Sequence, residues 1–204
     1  MIGVVDYRAG NAPSVLYALE RLGLAATLVG DAAGLEAVDR VILPGVGAAT
    51  ATIASLEESA LVAGLARRVV DDGVPFLGIC IGLQVLFEHS EEGPADCLGW
   101  VPGRVRRFPD TDRVPQIGWN EVQVTRAHPL VAGWPEHPYC YFVNSFHAVP
   151  VAADAVLATT EYSVPFCSMV ATGNIAATQF HAEKSGEIGL AVLRNFATWD
   201  GTPC

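Results

Sequence analysis

The sequence predicts an α/β fold: a doubly wound, mixed but mostly parallel sheet flanked by helices, with an antiparallel-rich second half. Three observations carry that prediction. In the first half, short apolar runs alternate with helical patterns, which implies parallel strands joined by right-handed crossovers. In the second half, apolar runs follow one another across Pro and Gly turns with no helix between them. Finally, 51 % of the 204 residues are hydrophobic and 17 % charged, a balance that suits buried strands.

Ile2-Gly3-Val4-Val5 is a buried-strand candidate that leaves through Arg8-Ala9-Gly10-Asn11. A helix follows, with Val15, Leu16, Leu19 and Leu22 on one apolar face. Strands are expected at residues 25–29 and 40–43, then a helical stretch over 51–72 closed by Gly73, then a strand over 74–79. A helix begins at Cys80 and has His89 at its far end, where an imidazole suits the dipole. Further strands are expected at 101–108, 119–124, 139–149, 156–162 and 166–171. Thr172-Gly173-Asn174 reads as a hairpin turn into a strand over 175–180. The last helix covers 186–199, apolar at Ile188, Ala191, Val192, Phe196 and Trp199. No repeat or linker interrupts the chain, so one domain over 1–204 is expected.

Composition narrows the function classes. No apolar run approaches the ~20 residues that span a bilayer, and the first six residues show no basic leader or small-residue cleavage site. A cytoplasmic protein is expected. The net charge of −10 argues against nucleic acid; Arg104, Arg106 and Arg107 read as a solvated strand edge. The five cysteines (Cys80, Cys97, Cys140, Cys167 and Cys204) form no CxxC pair, and there is no HExxH. Neither a metal site nor a cofactor is expected. Free thiols in a reducing compartment fit the odd number, most of them inert small hydrophobes.

Cys80 stands apart because it ends an apolar strand inside Gly78-Ile79-Cys80-Ile81-Gly82. That spacing is the thiol counterpart of a nucleophile elbow, where a sharp strand-to-helix turn strains the nucleophile and side chains two residues away would collide. The first N–H groups of the following helix then favour a thiolate. A structural cysteine at an ordinary turn is the alternative. Of five histidines, His128 and His137 precede prolines and read as surface loop residues, and His147 lies in a strand that could face either way. His181 follows a buried strand, at the sheet end where Cys80 also lies. Glu183, two residues on, could hold its tautomer. Pro44-Gly45-Val46-Gly47 closes the third strand at that same end without a phosphate-loop ending. Its backbone, with the N–H of Ile81, could supply an oxyanion hole, or it is a plain turn. Lys184, beside Glu183, is the only lysine in the chain.

Together, the segments around Cys80 through Gln84, Pro44 through Gly47, and Gln179-Phe180-His181-Ala182-Glu183-Lys184-Ser185 resemble the three signatures of triad-type (class I) glutamine amidotransferases. Asp6-Tyr7-Arg8-Ala9-Gly10-Asn11, Gln116-Ile117-Gly118-Trp119-Asn120 and Tyr141-Phe142-Val143-Asn144-Ser145-Phe146 resemble the branch that serves imidazole glycerol phosphate synthase. The resemblance covers nearly the whole chain.

It implies that Cys80 attacks the amide of glutamine, forms a thioester and is aided by His181 and Glu183. Val46, Gly47 and Ile81 would form the oxyanion hole. Gln84 and Glu92, with backbone near Gly45, Gly47 and Ser145, would hold the amino-acid end of the substrate. Ammonia would pass to a cyclase subunit, a β/α barrel, in a heterodimer of histidine biosynthesis, with Asn11, Tyr141 and Lys184 at the interface. The chain departs from the family at Arg8 (commonly Gly), Asn144 (His), Phe146 (Tyr) and Ala182 (Pro). The rival readings are a paralogue serving another synthase, a free-standing cysteine hydrolase, and a binding module with a decayed site. The hydrolase has no use for Gln84 and Glu92 as clamps, and the intact Cys80, His181 and Glu183 argue against the decayed module.

Overall fold

The computed structural model describes residues 1–8, 10–93 and 95–202. Five parallel strands form the half of the main sheet that matters for the site. They are β1 (Ile2–Val5), β2 (Ala26–Val29), β3 (Arg40–Gly45), β4 (Phe76–Cys80) and β14 (Ile175–Thr178), lying side by side in the order β2-β1-β3-β4-β14. The registers Gly45↔Cys80 and Thr178↔Ile79 bring the ends of the three central strands level. Every residue of β1, β4 and β14 is buried. Covering each large aliphatic side chain there contributes about 2 kcal/mol.

Helix α1 (Ala12–Arg21) buries Val15 and Leu19 as expected, while Leu16 and Leu22 are only partly covered. Helix α2 (Ala32–Glu36) is capped by the Asp31 side chain, which accepts from Gly34 N–H. The helical stretch expected over 51–72 is broken in two. Helix α3 (Ala49–Glu58) stops because Ala60 takes a left-handed φ of +53°, and α4 (Leu61–Ala66) then runs into a π-helical turn (Arg67–Asp71).

The helix expected between Cys80 and His89 is one turn long, α5 (Ile81–Gln84), and His89 belongs to strand β5 (His89–Ser90). The reason is where the carbonyls go. Those of Val85, Leu86 and Phe87 accept from Leu98, Val101 and Gly99 N–H groups at 2.9–3.0 Å, so no i+4 ladder can form.

Beyond β14, the sheet continues through β13 (Pro165–Thr172), β11 (Phe146–Pro150), β7 (Gly103–Arg107), β5 and β6 (Ala95–Asp96). The turn at Gly173 joins β13 to β14 as an antiparallel pair, as the sequence implies. Arg104 and Arg106 lie on the exposed face of β7, but that strand has neighbours on both sides and is not an edge.

Two stretches expected as single strands each serve two sheets. Residues 119–124 divide into β8 (Gln116–Glu121) and β9 (Gln123–Val124), and residues 139–149 into β10 (Tyr139–Asn144) and β11. β8 and β10 pair in a separate two-stranded antiparallel sheet, and Ser145 is the joint where the chain crosses to the main one. β9 pairs with β12 (Val156–Glu161), which in turn pairs with β13. Helix α6 (Gly186–Thr198) closes the chain, burying Leu190, Val192, Leu193 and Phe196. Among the described residues, no helix is long and apolar enough to cross a membrane.

Candidate active site

Strands β3, β4 and β14 deliver the site. Cys80 ends β4 with φ +57° and ψ −105°, a conformation that costs a non-glycine residue about 1–3 kcal/mol. Both neighbouring glycines are required by close approach. A Cβ on Gly78 would lie 2.4 Å from the Gly82 carbonyl oxygen, and one on Gly82 would lie 1.9 Å from that of Leu43. The elbow expected from the glycine spacing is therefore present. The helix after it is too short for a macrodipole, so the first-turn N–H groups are all that it can offer the sulfur.

His181 follows β14 and is buried. Its N–H donates to the Tyr141 carbonyl at 3.0 Å, and its own carbonyl accepts from Ser185 Oγ at 2.7 Å. The same Ser185 oxygen accepts from Tyr141 N–H at 3.0 Å. The ring Nδ1 faces Glu183 Oε1 at 2.9 Å; a carboxylate can only accept, so Nδ1 carries the proton. Burial disfavours charge on the ring, but hydrogen bonding and charge from Cys80 and Glu183 outweigh it and raise the imidazole to about 10. Both neighbours therefore favour the protonated ring. Glu183 Oε1 also accepts from Asn11 Nδ2 at 3.0 Å.

Cys80 and His181 open onto one cavity of about 260 Å³. Val46, Gly47 and Ile81, expected at an oxyanion hole, line it, as do Gln84, Glu92 and Ser145. Gly47 has φ +92°, a conformation that favours glycine. Gly45 stands behind the cavity, packed so closely against Ile81 and Tyr7 that a Cβ would approach each to 2.8 Å.

Glu92 is half-buried. Desolvation raises its carboxyl above the usual range, against a hydrogen bond from Ala49 N–H at 3.2 Å. Gln84 is buried, and its Oε1 has no hydrogen-bond partner among the described residues. Asn144 and Phe146, two of the departures from the family, line the same cavity. A larger cavity of about 710 Å³ along residues 122–138 shares no residue with this site.

The three residues expected at a partner interface surround the back of the triad. Lys184 is exposed, Tyr141 is half-buried edge-on to Trp119 with centroids 5.9 Å apart, and Asn11 touches Glu183 directly. Ser185 went unrecognised as a functional group, although it lies within the segment that carries the resemblance. Arg8, where the family commonly has glycine, adopts φ +67°.

The other histidines go elsewhere. His128 is not a surface residue: the turn Pro129–Val131 folds it inward against Trp199, its Nδ1 accepts from Leu130 N–H, and burial with nearby Arg126 lowers it to about 4. His137 is exposed and faces Glu121 at 2.6 Å. His147 is buried and stacked on Phe108. Burial raises the thiols of Cys97 to about 11 and of Cys140 and Cys167 to about 12, which keeps them protonated and inert. Cys204 lies outside the described residues.

The family model for glutamine amidotransferase class-I matches residues 3–198. The imidazole glycerol phosphate synthase subunit HisH of Dehalococcoides mccartyi (strain CBDB1) is 45 % identical, over 96 % of each chain. That of Xylella fastidiosa (strain Temecula1 / ATCC 700964) is 46 % identical, over 98 % of each. Among solved structures, a glutamine amidotransferase superposes with a TM-score of 0.75 at 22 % identity, over 96 % of each chain. PurLQS from Thermotoga maritima superposes equally well at 20 % identity, again over 96 % of each chain; at such identities the likeness speaks for the fold alone. An elbow cysteine and a carboxylate-held histidine at one end of a mixed sheet, in a chain this similar to HisH subunits along its whole length, mean that the protein belongs to the class I glutamine amidotransferases and, within them, to the HisH family.

Proposed function

We propose that this chain, a single amidotransferase domain working in the cytoplasm, is the glutaminase subunit of an imidazole glycerol phosphate synthase. One observation carries the chemistry: the strained Cys80 and the Glu183-held His181 open onto the same small cavity. Cys80 sulfur attacks the side-chain amide carbon of glutamine, and the charge that builds on oxygen is met by backbone N–H groups at Val46, Gly47 and Ile81. His181 gives a proton to the departing nitrogen, so ammonia leaves and a thioester remains. A water molecule, losing its proton to His181, then cleaves the thioester to glutamate and restores the thiol.

At the other end of the substrate, the unpartnered Gln84 Oε1 and the Glu92 carboxylate are acceptors suited to an ammonium group. A cation beside Glu92 would offset the desolvation that raises it. Gly47 and Ser145, which line the cavity, hold the carboxylate end through backbone, with Gly45 supporting the turn from behind. Ammonia is handed to a cyclase subunit, a β/α barrel, docked in a heterodimer over Asn11, Tyr141 and Lys184. Coupling through that face suits a lone lysine placed beside the triad carboxylate.

The test is glutamine hydrolysis by the purified chain, alone and with a cyclase subunit and its nucleotide ligand. Low activity alone and strong activation together is the expected result. Silence in both would assign the chain to a different synthase, and full activity alone would make it a free-standing hydrolase.

A further inference from the structure

The Cys80 sulfur has a neighbour outside the triad. Gln179 is fully buried and directs its side-chain Nε2 at Cys80 Sγ, 3.8 Å away. Which end of that amide faces the sulfur follows from a chain of forced orientations. The Phe146 carbonyl can only accept, and it takes hydrogen bonds from Asn144 Nδ2 at 3.0 Å and Gln84 Nε2 at 3.2 Å. The amino end of Gln84 is thereby fixed, and its remaining hydrogen goes to Gln179 Oε1 at 3.1 Å. With its oxygen engaged, Gln179 has only its amino group to turn toward Cys80. Phe146, Gln84 and Gln179 come from three separate stretches of the chain, so the chain of bonds exists only in the folded protein.

An N–H donor binds an anionic sulfur more strongly than a neutral one, because the hydrogen bond to the anion is charge-assisted. In a buried site that preference is larger than in water. Gln179 does not ionise, so it acts on the sulfur at every pH, whereas His181 acts only while it holds its proton. We propose that Gln179 is a catalytic residue of the glutaminase reaction, a neutral donor that stabilises the Cys80 thiolate, with Gln84 and the Phe146 carbonyl as positioning groups that keep its amide the right way round. The proposal rests on the glutaminase reading of this site. The ionisable groups around the sulfur are His181, Tyr7 from the end of β1 and Glu92 across the cavity.

The experiment is alkylation of Cys80 by iodoacetamide without glutamine, from pH 5 to 10, the modified peptide being quantified by mass spectrometry. It compares wild type with Gln179→Leu, which removes the donor, and with the near-isosteric Gln179→Glu, whose carboxylate cannot donate. The leucine variant should move the midpoint of the profile upward by about one pH unit, slowing alkylation about tenfold at pH values well below that midpoint. Its high-pH plateau should be unchanged, and the glutamate variant should move the midpoint further. Unmoved midpoints, or a lowered plateau with no shift, would overturn the role of Gln179. Should the leucine variant not fold, Gln179→Met, of similar length and without a donor, takes its place, because the glutamate variant also adds a charge that raises the midpoint by itself. A wild-type Cys80 that resists alkylation throughout would instead refute the glutaminase reading itself.

Discussion

Asn11 Nδ2 donates to Glu183 Oε1 across 3.0 Å, sharing that oxygen with the His181 ring. Ser14 Oγ donates to Asn11 Oδ1 at 2.7 Å, which turns the Asn11 amino group toward the carboxylate. A residue the sequence suggested only as part of a partner surface thus helps hold the triad acid. Its removal leaves Glu183 with one donor fewer. Asn11→Ala should lower kcat for glutamine about fivefold, near the ~1 kcal/mol of a half-buried hydrogen bond, with KM little changed. Steady-state kinetics with the cyclase subunit present checks this.

Cys80 sets stability against activity. Its φ of +57° is one that glycine adopts without a steric penalty, whereas alanine keeps the offending Cβ. Cys80→Gly and Cys80→Ala should both abolish glutaminase turnover. The glycine variant should also melt about 3 °C above the alanine variant, the equivalent of roughly 1 kcal/mol in a chain of this size. Calorimetry of the two variants makes the comparison.

At Gly82 the outcome reverses. An added methyl would meet the Leu43 carbonyl oxygen at 1.9 Å, and that oxygen is backbone, not the end of a flexible side chain that could yield. Gly82→Ala should cost about 3 kcal/mol and displace the elbow. Chemical denaturation should show that loss together with the loss of turnover.

His128 predicts an acid sensitivity separate from catalysis. Its folded-state value of about 4 lies below the ordinary histidine value of 6.5, so between those limits the unfolded chain binds more protons than the folded one. Stability therefore falls as pH drops from about 6.5 through about 4. A His128→Gln variant should lose this part of the pH dependence in thermal melts. A slope identical to wild type would show that His128 does not contribute.

The sequence revealed most where one local requirement dominates. Apolar runs identify β1, β3, β4 and β14 because those strands are covered on both faces. The elbow is visible because two glycines are imposed by carbonyl oxygens 2.4 and 1.9 Å from where their Cβ atoms would be. Distant backbone donors were invisible. Val85, Leu86 and Phe87 continue an apolar pattern like a helix, yet their carbonyls pair with residues 98–101. His128 reads as a loop residue from its proline, though it packs edge-on against Trp199. Asn11 and Glu183 are 172 positions apart, and neither hints at the other. Stretches 119–124 and 139–149 each read as one strand, and nothing in their composition says that the chain changes sheets partway.

That change of sheet has a mechanical consequence for the imidazole. Its main-chain N–H is tied to Tyr141 of β10, in the two-stranded ribbon and not in the broad sheet that carries Cys80. Two-stranded ribbons have little stability of their own and open at lower free energy than a sheet core. The nucleophile is anchored in the middle of the broad sheet and the acid–base group is moored to a separate two-stranded ribbon. Amide exchange at His181 should therefore follow local opening of the ribbon, and tightening or loosening that ribbon is a way to adjust the proton transfer while the sulfur stays still.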